Sequence, residues 1–212
     1  MRRLRWAVLS ATVVAAAVLL GGCAATTSGK QDDAMAKTVA MLKSSFHERG
    51  QAKLDRLDQD ETQRLCTDVG TKTPPKELAQ KIEQINLALI NWPADGKYLG
   101  DWKNGEKIAQ EGRGMQYSDD PKGAVGANCY ACHQLTKEEV SFGTIGPSLY
   151  NFGKLRGYGP DMQKYAYGKV YDAEAYNACT NMPRFGHKGI LTEQQIRDVM
   201  ALLFDPASPV NQ

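Results

Sequence analysis

The sequence lacks a strong charge of either sign, and this narrows the classes of protein that it can encode. Its 212 residues include 26 Lys and Arg against 24 Asp and Glu. Three of these bases lie within residues 1–22, so a chain without that segment carries 23 bases against 24 acids. A nucleic-acid-binding protein needs a clustered positive face to engage phosphates. The near-neutral composition therefore argues against nucleic acid as a partner.

The sequence also lacks a hydrophobic run long enough for a permanent transmembrane helix. Its apolar stretch at residues 6–20 has 15 residues, whereas a spanning helix needs about 20. Arg2, Arg3 and Arg5 precede this stretch, and a positive start followed by a short apolar core is typical of an export signal. We therefore expect residues 1–22 to be a signal peptide.

The predicted signal ends in a segment that resembles a bacterial lipobox, Leu20-Gly21-Gly22-Cys23. In a lipobox the cysteine is lipidated and becomes the first residue of the mature chain. Two acyl chains on one cysteine are enough for stable anchoring. The alternative is ordinary cleavage after Ala25, which would remove Cys23. We predict lipidation of Cys23 and a periplasmic protein anchored to a membrane.

The rest of the chain shows neither an internal repeat nor an alternating strand pattern, which favours a helical fold. Small polar residues at 23–34 predict a flexible tether. Apolar residues at helical spacing predict a helical N-terminal extension over 35–92. From 93 to 212, long loops rich in Gly, Pro and aromatic residues separate short helices, two of which Asp101 and Thr192 are expected to cap. Loops of this length in a compact domain usually need something to enclose.

One motif in residues 129–133, Cys-Tyr-Ala-Cys-His, indicates what these loops enclose. C-x-x-C-H is the attachment signature of c-type haem, in which Cys129 and Cys132 bond the vinyl groups and His133 becomes an axial iron ligand. A zinc site would need two further ligands at suitable spacing. A thioredoxin-like motif belongs to a strand–helix setting that the pattern does not show. We therefore predict one covalently attached haem c with His133 as its proximal ligand.

The distal iron ligand is expected downstream of the motif. Met182 lies in Asn-Met-Pro-Arg-Phe-Gly, residues 181–186, where proline and glycine favour an extended, turning loop. A thioether ligand raises the potential of the iron and suits electron transfer. We predict Met182 in this role. The alternative ligands are His187, Met162 and Met115.

Two cysteines, Cys66 and Cys179, remain outside the haem motif. Thiols of exported proteins meet an oxidising compartment and can pair. Cys179 lies three residues before Met182, so a bond to Cys66 would join the extension to the methionine loop. The alternative is a pair of free thiols. We predict the disulfide.

Six segments of the chain carry a resemblance to a known family: 126–133, Gly146-Pro147-Ser148-Leu149, Tyr171-Asp172-Ala173, 181–186, 191–196 and the tail 205–211. On these segments, from about residue 95 to its end, the sequence resembles the SoxX family, the smaller cytochrome subunits of bacterial SoxAX complexes. The resemblance implies an all-α, class I cytochrome c-like haem domain. It also implies that the Pro147 carbonyl orients the ring of His133 through Nδ1–H. Cys179 and the segment before Trp92 depart from the family pattern.

The resemblance also implies an activity. SoxAX complexes act as L-cysteine S-thiosulfotransferases, joining thiosulfate oxidatively to a cysteine of the SoxYZ carrier protein. The catalytic centre of that family belongs to the SoxA subunit, and SoxX passes the electrons to a soluble cytochrome. We therefore expect a heterodimer with a SoxA-type cytochrome and no catalytic residue in this chain. The alternatives are a free-standing, membrane-tethered carrier cytochrome and a haem sensor whose iron loses its sixth ligand.

Overall fold

The computed structural model describes residues 25–212, with side chains from residue 33. This part of the chain contains no β-strand, only an isolated antiparallel bridge between Arg49 and Ala52. The predicted all-α class is therefore confirmed. The α-helices of the described part are α1 (Ala25–Ser45), α2 (Glu61–Val69), α3 (Lys76–Ala88), α4 (Trp102–Gln110), α5 (Phe152–Arg156), α6 (Pro160–Tyr171) and α7 (Glu193–Phe204). Short 3-10 turns lie at Leu54–Leu57, Cys129–Ala131, Ala173–Ala175 and Pro209–Asn211.

The described chain forms two compact units, and the larger one carries the predicted haem motif. The smaller unit comprises the chain up to Glu48 with Lys53–Leu57, and the larger comprises Arg49–Ala52 with Asp58–Gln212. The sequence predicted a boundary at residue 92 between the extension and the haem domain. Residues 58–92 instead belong to the same compact unit as the haem motif, because α2 and α3 pack against the part of the chain that follows them.

Helix α1 occupies most of the segment that was predicted to be a tether. Residues 25–34 are helical and continue without a break to Ser45. Two alanines, one lysine and one glutamine in this stretch favour helix formation, whereas its Thr, Ser, Gly and Asp residues do not. Lys37 also pairs with Asp33 one turn earlier, at 2.7 Å, and such pairs support a helix modestly. The signal peptide and Cys23 lie outside the described residues, among which no helix is long and apolar enough to cross a bilayer.

The core of the larger unit is built around the contact between α4 and α7. Asp101 caps α4 by accepting a hydrogen bond from a backbone N–H of its first turn at 2.9 Å. Thr192 and Gln195 form a capping box at the start of α7, so both caps are where the sequence placed them. Gly105 lets the two helices approach closely, since a Cβ there would lie 2.1 Å from the backbone oxygen of Asp198.

Polar contacts join α2 to α3 and α3 to this core, and the first of them is buried. Asn86 of α3 is fully buried and donates to the hydroxyl of Thr62 in α2 at 2.9 Å. Asn91, just after α3, donates to the hydroxyl of Tyr171 at the end of α6, also at 2.9 Å. Buried amides need such partners because an unpaired one costs free energy. These bonds therefore specify how α2 and α3 pack on the helices that follow.

A disulfide between Cys66 and Cys179 strengthens the same packing, as the sequence predicted. It joins α2 to the loop that carries Met182, and the two Cα atoms are 5.3 Å apart. The bond closes a separation of 113 residues. It connects a helix that the sequence assigned to a separate extension with a loop of the haem domain.

Replacing Cys66 and Cys179 together by alanine is expected to lower the free energy of unfolding by about 3–5 kcal/mol, because a bond that closes so long a loop restricts the unfolded chain. Denaturant unfolding of the haem-loaded protein measures the loss. Intact-mass analysis after alkylation is the control, in which both thiols of the parent protein label only after reduction. Labelling of both without a reductant would contradict the pairing.

Candidate haem-binding site

The C-x-x-C-H motif folds into a tight turn at the edge of a cavity. The N–H groups of Cys132 and His133 both donate to the carbonyl oxygen of Cys129, at 3.1 and 2.9 Å. Asn128, just before the turn, is left-handed with φ 45°, a conformation that asparagine tolerates better than most residues. Both motif cysteines lie outside the disulfide, and both line a cavity of about 740 Å³. Cavities of roughly 300–1,000 Å³ are typical of ligand and cofactor sites.

His133 is held in one orientation beside this cavity. Its Nδ1 lies 2.7 Å from the carbonyl oxygen of Pro147. A carbonyl only accepts hydrogen bonds, so Nδ1 carries the proton and Nε2 keeps its lone pair for a metal. Gly146 leaves room for the ring, since a Cβ at that position would lie 2.1 Å from Cε1 of His133. The Pro147 contact has the geometry that the resemblance implied.

Two of the four candidate distal ligands line the cavity. Met182, from the loop before α7, and Met162, from the first turns of α6, both contribute to its lining. His187 and Met115 are not among the described residues that form this wall. The structure therefore narrows the choice to two methionines, and the resemblance favours Met182.

His187 is instead engaged with Asp172, at the end of α6. Its Nδ1 lies 3.3 Å from Oδ2 of Asp172, whose side chain is fully buried. Burial lowers the pKa of His187 and raises the pKa of Asp172 to about 6, since a charge is disfavoured in a poorly solvated place. The imidazole therefore lies against this carboxyl oxygen, without a hydrogen bond between them, and is not among the described residues that line the cavity.

Most of the cavity wall is apolar and comes from distant parts of the chain. The residues between the haem motif and α5 form one side, and α6 and α7 supply others. A flat macrocycle needs surroundings of this kind because its faces are hydrophobic. The larger apolar residues of the lining are Leu135, Ile145, Leu149, Phe152, Val170, Phe185, Leu191, Val199, Leu202 and Leu203.

These residues fit a covalently attached haem better than the two alternatives. No group of three or more His, Cys, Asp and Glu suited to a metal ion occurs in the described part of the chain, whereas zinc prefers four such ligands. Burial raises the pKa of the Cys129 thiol to about 12, the reverse of the lowered pKa that a redox C-x-x-C needs. Haem attachment requires two thiols beside an apolar cleft and a histidine with a free nitrogen, and all three are present.

One charged cluster beside the methionine loop was missed by the sequence analysis. Arg184 and Lys188, from the loop, both donate to Oδ2 of Asp60, at 2.5 and 2.6 Å. Partial burial would raise the pKa of Asp60, but hydrogen bonds from Lys188, from the N–H of Gln63 and from Arg184 outweigh it and hold the pKa at about 2. Asp60 also begins a capping box with Gln63 at the start of α2. The D-x-x-Q spacing was the signal in the sequence that could have located it.

Comparisons with known proteins agree with this site. The cytochrome c family matches residues 103–204, a range that includes the turn at Cys129–Ala131 and Met182. An uncharacterized lipoprotein of Aquifex aeolicus (strain VF5) is 31% identical over 207 residues, which cover 97% of this chain and 98% of that protein. The similarity therefore extends beyond the cytochrome c match into the helices before it.

The cytochrome c match and the apolar cavity at Cys129, Cys132 and His133 account for the same part of the chain. Cytochrome c domains carry covalently attached haem c and transfer electrons. The chain therefore belongs to one protein family with the Aquifex lipoprotein, and its residues 103–204 form a cytochrome c domain that binds haem c for electron transfer.

Proposed function

We propose that this chain is the haem-bearing electron-transfer subunit of a SoxAX-type complex, with one haem c attached at Cys129 and Cys132. The observation that carries the proposal is that His133 and Met182 line the same cavity. With Met182 as the distal ligand, His133 and Met182 would hold the iron from both sides. Such a site suits electron transfer and leaves no position for a substrate.

The chain's own residues tune the site for this role. A bound haem c supplies a one-electron couple. The ring of His133 is oriented by the Pro147 carbonyl, and such partners fix a ligand's geometry and basicity. The Met182 thioether favours ferrous iron more than a second imidazole would, which raises the potential. The apolar walls limit the access of water, a further determinant of potential.

The reaction proposed for the complex is the oxidative coupling of thiosulfate to a carrier cysteine. A bond forms between the outer sulfur of thiosulfate and the cysteine sulfur, while the S–H bond breaks. One proton and two electrons are released. A SoxA-type partner holds the catalytic centre of this L-cysteine S-thiosulfotransferase, and a SoxYZ-type protein carries the cysteine. This chain accepts the electrons one at a time and passes each to a soluble cytochrome, which is the oxidant.

The C-terminal tail supports a SoxX-like domain architecture. The Ser208 hydroxyl donates to the carbonyl oxygen of Leu202 at 2.6 Å, and the Asn211 amide donates to that of Leu203 at 3.0 Å. These bonds satisfy carbonyl groups at the end of α7, which lack partners within the helix. Ser208 and Asn211 are fully buried. The resemblance of the tail to the SoxX family therefore reflects a shared fold and says nothing about the surface that would contact a SoxA-type subunit.

The proposed role is tested by haem reduction with thiosulfate. We expect no reduction of the purified chain alone, and reduction once a SoxA-type subunit and a SoxYZ-type carrier are added, because the bond-forming centre lies on the partner. Absorbance of the reduced haem follows the reaction. The matched control is a carrier whose acceptor cysteine is replaced by serine, which is expected to abolish reduction.

Failure of the complete mixture, with a SoxA-type subunit shown to be active with a known SoxX protein, would contradict the SoxAX role. It would favour the second candidate, a free-standing tethered carrier for another respiratory pathway. The specific observation behind that candidate is the match to a lipoprotein over nearly the whole chain. Co-purification with a second c-type cytochrome would count against it.

The assignment of Met182 as the distal ligand is tested against Met162. Met182→Ala is expected to lower the reduction potential by on the order of 0.1 V, within the range of about 0.8 V over which axial ligands set haem potentials. It is also expected to let ferrous protein bind carbon monoxide readily. Met162→Leu, at the other methionine of the cavity lining, is the matched control and is expected to change neither property. The opposite pattern would assign the ligand to Met162.

We also propose that Cys23 is lipidated and anchors the protein to a membrane facing the periplasm. The lipobox-like segment before Cys23 and the match to a lipoprotein support this proposal. Full-length protein expressed in a Gram-negative host is expected in the membrane fraction, with a mass increase from acylation. Cys23→Ala is expected to remove both. A parent protein in the soluble fraction, cleaved after Ala25, would contradict lipidation.

A further inference from the structure

The loop that carries Met182 is held by α2 on both sides of the methionine. On one side Cys179, three residues before Met182, is bonded to Cys66 of α2. On the other side Arg184, two residues after it, donates to Oδ2 of Asp60 at 2.5 Å. Asp60 is the N-cap residue of α2. The two connections therefore join one short helix to both flanks of the predicted ligand.

The connection at Asp60 involves buried charge. The Arg184 side chain is only 8% exposed, and a guanidinium buried to this extent is costly without a partner. Asp60 supplies a carboxylate, and the fully buried Asn86 of α3 accepts a further bond at 3.4 Å. Lys188 donates to the same Asp60 oxygen at 2.6 Å. The position of Arg184 is therefore determined by side chains of α2 and α3.

The methionine itself has little local support in the backbone. Its N–H donates to the hydroxyl of Thr180 over a long 3.4 Å. Beyond Arg184, backbone hydrogen bonds to the rest of the domain include those of Gly186 and His187, whose N–H groups donate to the carbonyl oxygen of Tyr171 at 3.0 and 3.1 Å. The placement of residue 182 therefore depends strongly on the anchors at 179 and 184.

We propose that Asp60 is a positioning residue for the distal iron ligand: by fixing Arg184 and Lys188 it keeps the loop where the Met182 thioether binds the iron. Asp60 does not line the haem cavity, so it acts through the loop. The proposal rests on Met182 being the distal ligand, as proposed above. It gives α2 a function in the haem site that the cytochrome c match, which begins at residue 103, does not cover.

Two substitutions separate the charge of Asp60 from its capping role. Asp60→Asn removes the charge that faces Arg184 and Lys188 but keeps an N-cap of equal quality. Asp60→Glu keeps a carboxylate but makes a poorer cap. If Asp60 positions the loop, the Met182–iron bond is weaker in Asp60→Asn, which loses the charge, than in Asp60→Glu, which keeps it. If Asp60 is only a cap, the two variants differ in stability to unfolding and leave the haem ligand unchanged.

The measurement is equilibrium binding of cyanide to the ferric, haem-loaded full-length protein, because cyanide must displace the distal ligand. We expect Asp60→Asn to bind cyanide about tenfold more tightly than the parent, which corresponds to about 1.4 kcal/mol. The charge-transfer absorption of the thioether–iron bond is expected to weaken in parallel. Asp60→Glu is expected to lie closer to the parent. Lys188→Gln, which removes one of the two cations, is expected to show a smaller change in the same direction.

Asp95→Asn is the matched control. It removes a carboxylate that accepts two hydrogen bonds from Arg197, at 3.0 and 2.8 Å, and Arg197 belongs to α7 and not to the methionine loop. Its cyanide affinity is expected to equal that of the parent protein. Haem content and thermal unfolding are recorded for every variant, so that a general loss of stability is recognised.

Parent-like cyanide binding in both Asp60→Asn and Lys188→Gln would overturn the proposal. If Asp60→Asn fails to take up haem, the cyanide affinities of Lys188→Gln and Asp95→Asn are compared instead. Equal affinities in these two variants would then overturn the proposal. Unchanged cyanide binding in Met182→Ala would overturn the ligation itself, and the positioning role with it. None of these measurements uses thiosulfate, so they test the positioning role of Asp60 independently of the SoxAX role.

Discussion

The proposed attachment of haem c through Cys129 and Cys132 is the constraint on which the rest of the haem site depends. It would confine one edge of the macrocycle to a single turn, so every other wall must be placed relative to that turn. His133 follows directly and is oriented by Pro147. The remaining walls come from α6, α7 and the loops between them. The close packing of α4 against α7, made possible by Gly105, supplies the rigid base that these loops need.

The helices before the cytochrome c match are part of this arrangement and do not act only as a spacer. Residues 58–92 share a compact unit with the haem domain, and they reach the methionine loop through the disulfide and through Asp60. Helix α1 lies in the other unit. The chain thus divides between a segment that leads from the proposed lipid anchor and a segment that supports the haem site.

A cavity lined by one histidine and by methionines determines what chemistry the chain can perform. An iron held on both sides by protein ligands would store and pass an electron. The SoxAX proposal therefore assigns the formation of the bond between sulfur atoms to a separate partner. The proposed anchor would keep the complex at the membrane, and its soluble electron acceptor would be the diffusing component.

The sequence by itself determined the features whose chemistry is local. Haem attachment needs five consecutive residues, the cap at Asp101 needs three and the capping box at Thr192 needs four, so these features were predicted from spacing alone. The disulfide followed from the small number of remaining cysteines. Asp60 and Arg184 are 124 positions apart, and no short-range pattern connects them. Only the tertiary structure decided that contact, together with the inclusion of 58–92 in the haem unit. Both features depend on packing between distant segments, which local propensity and spacing do not encode.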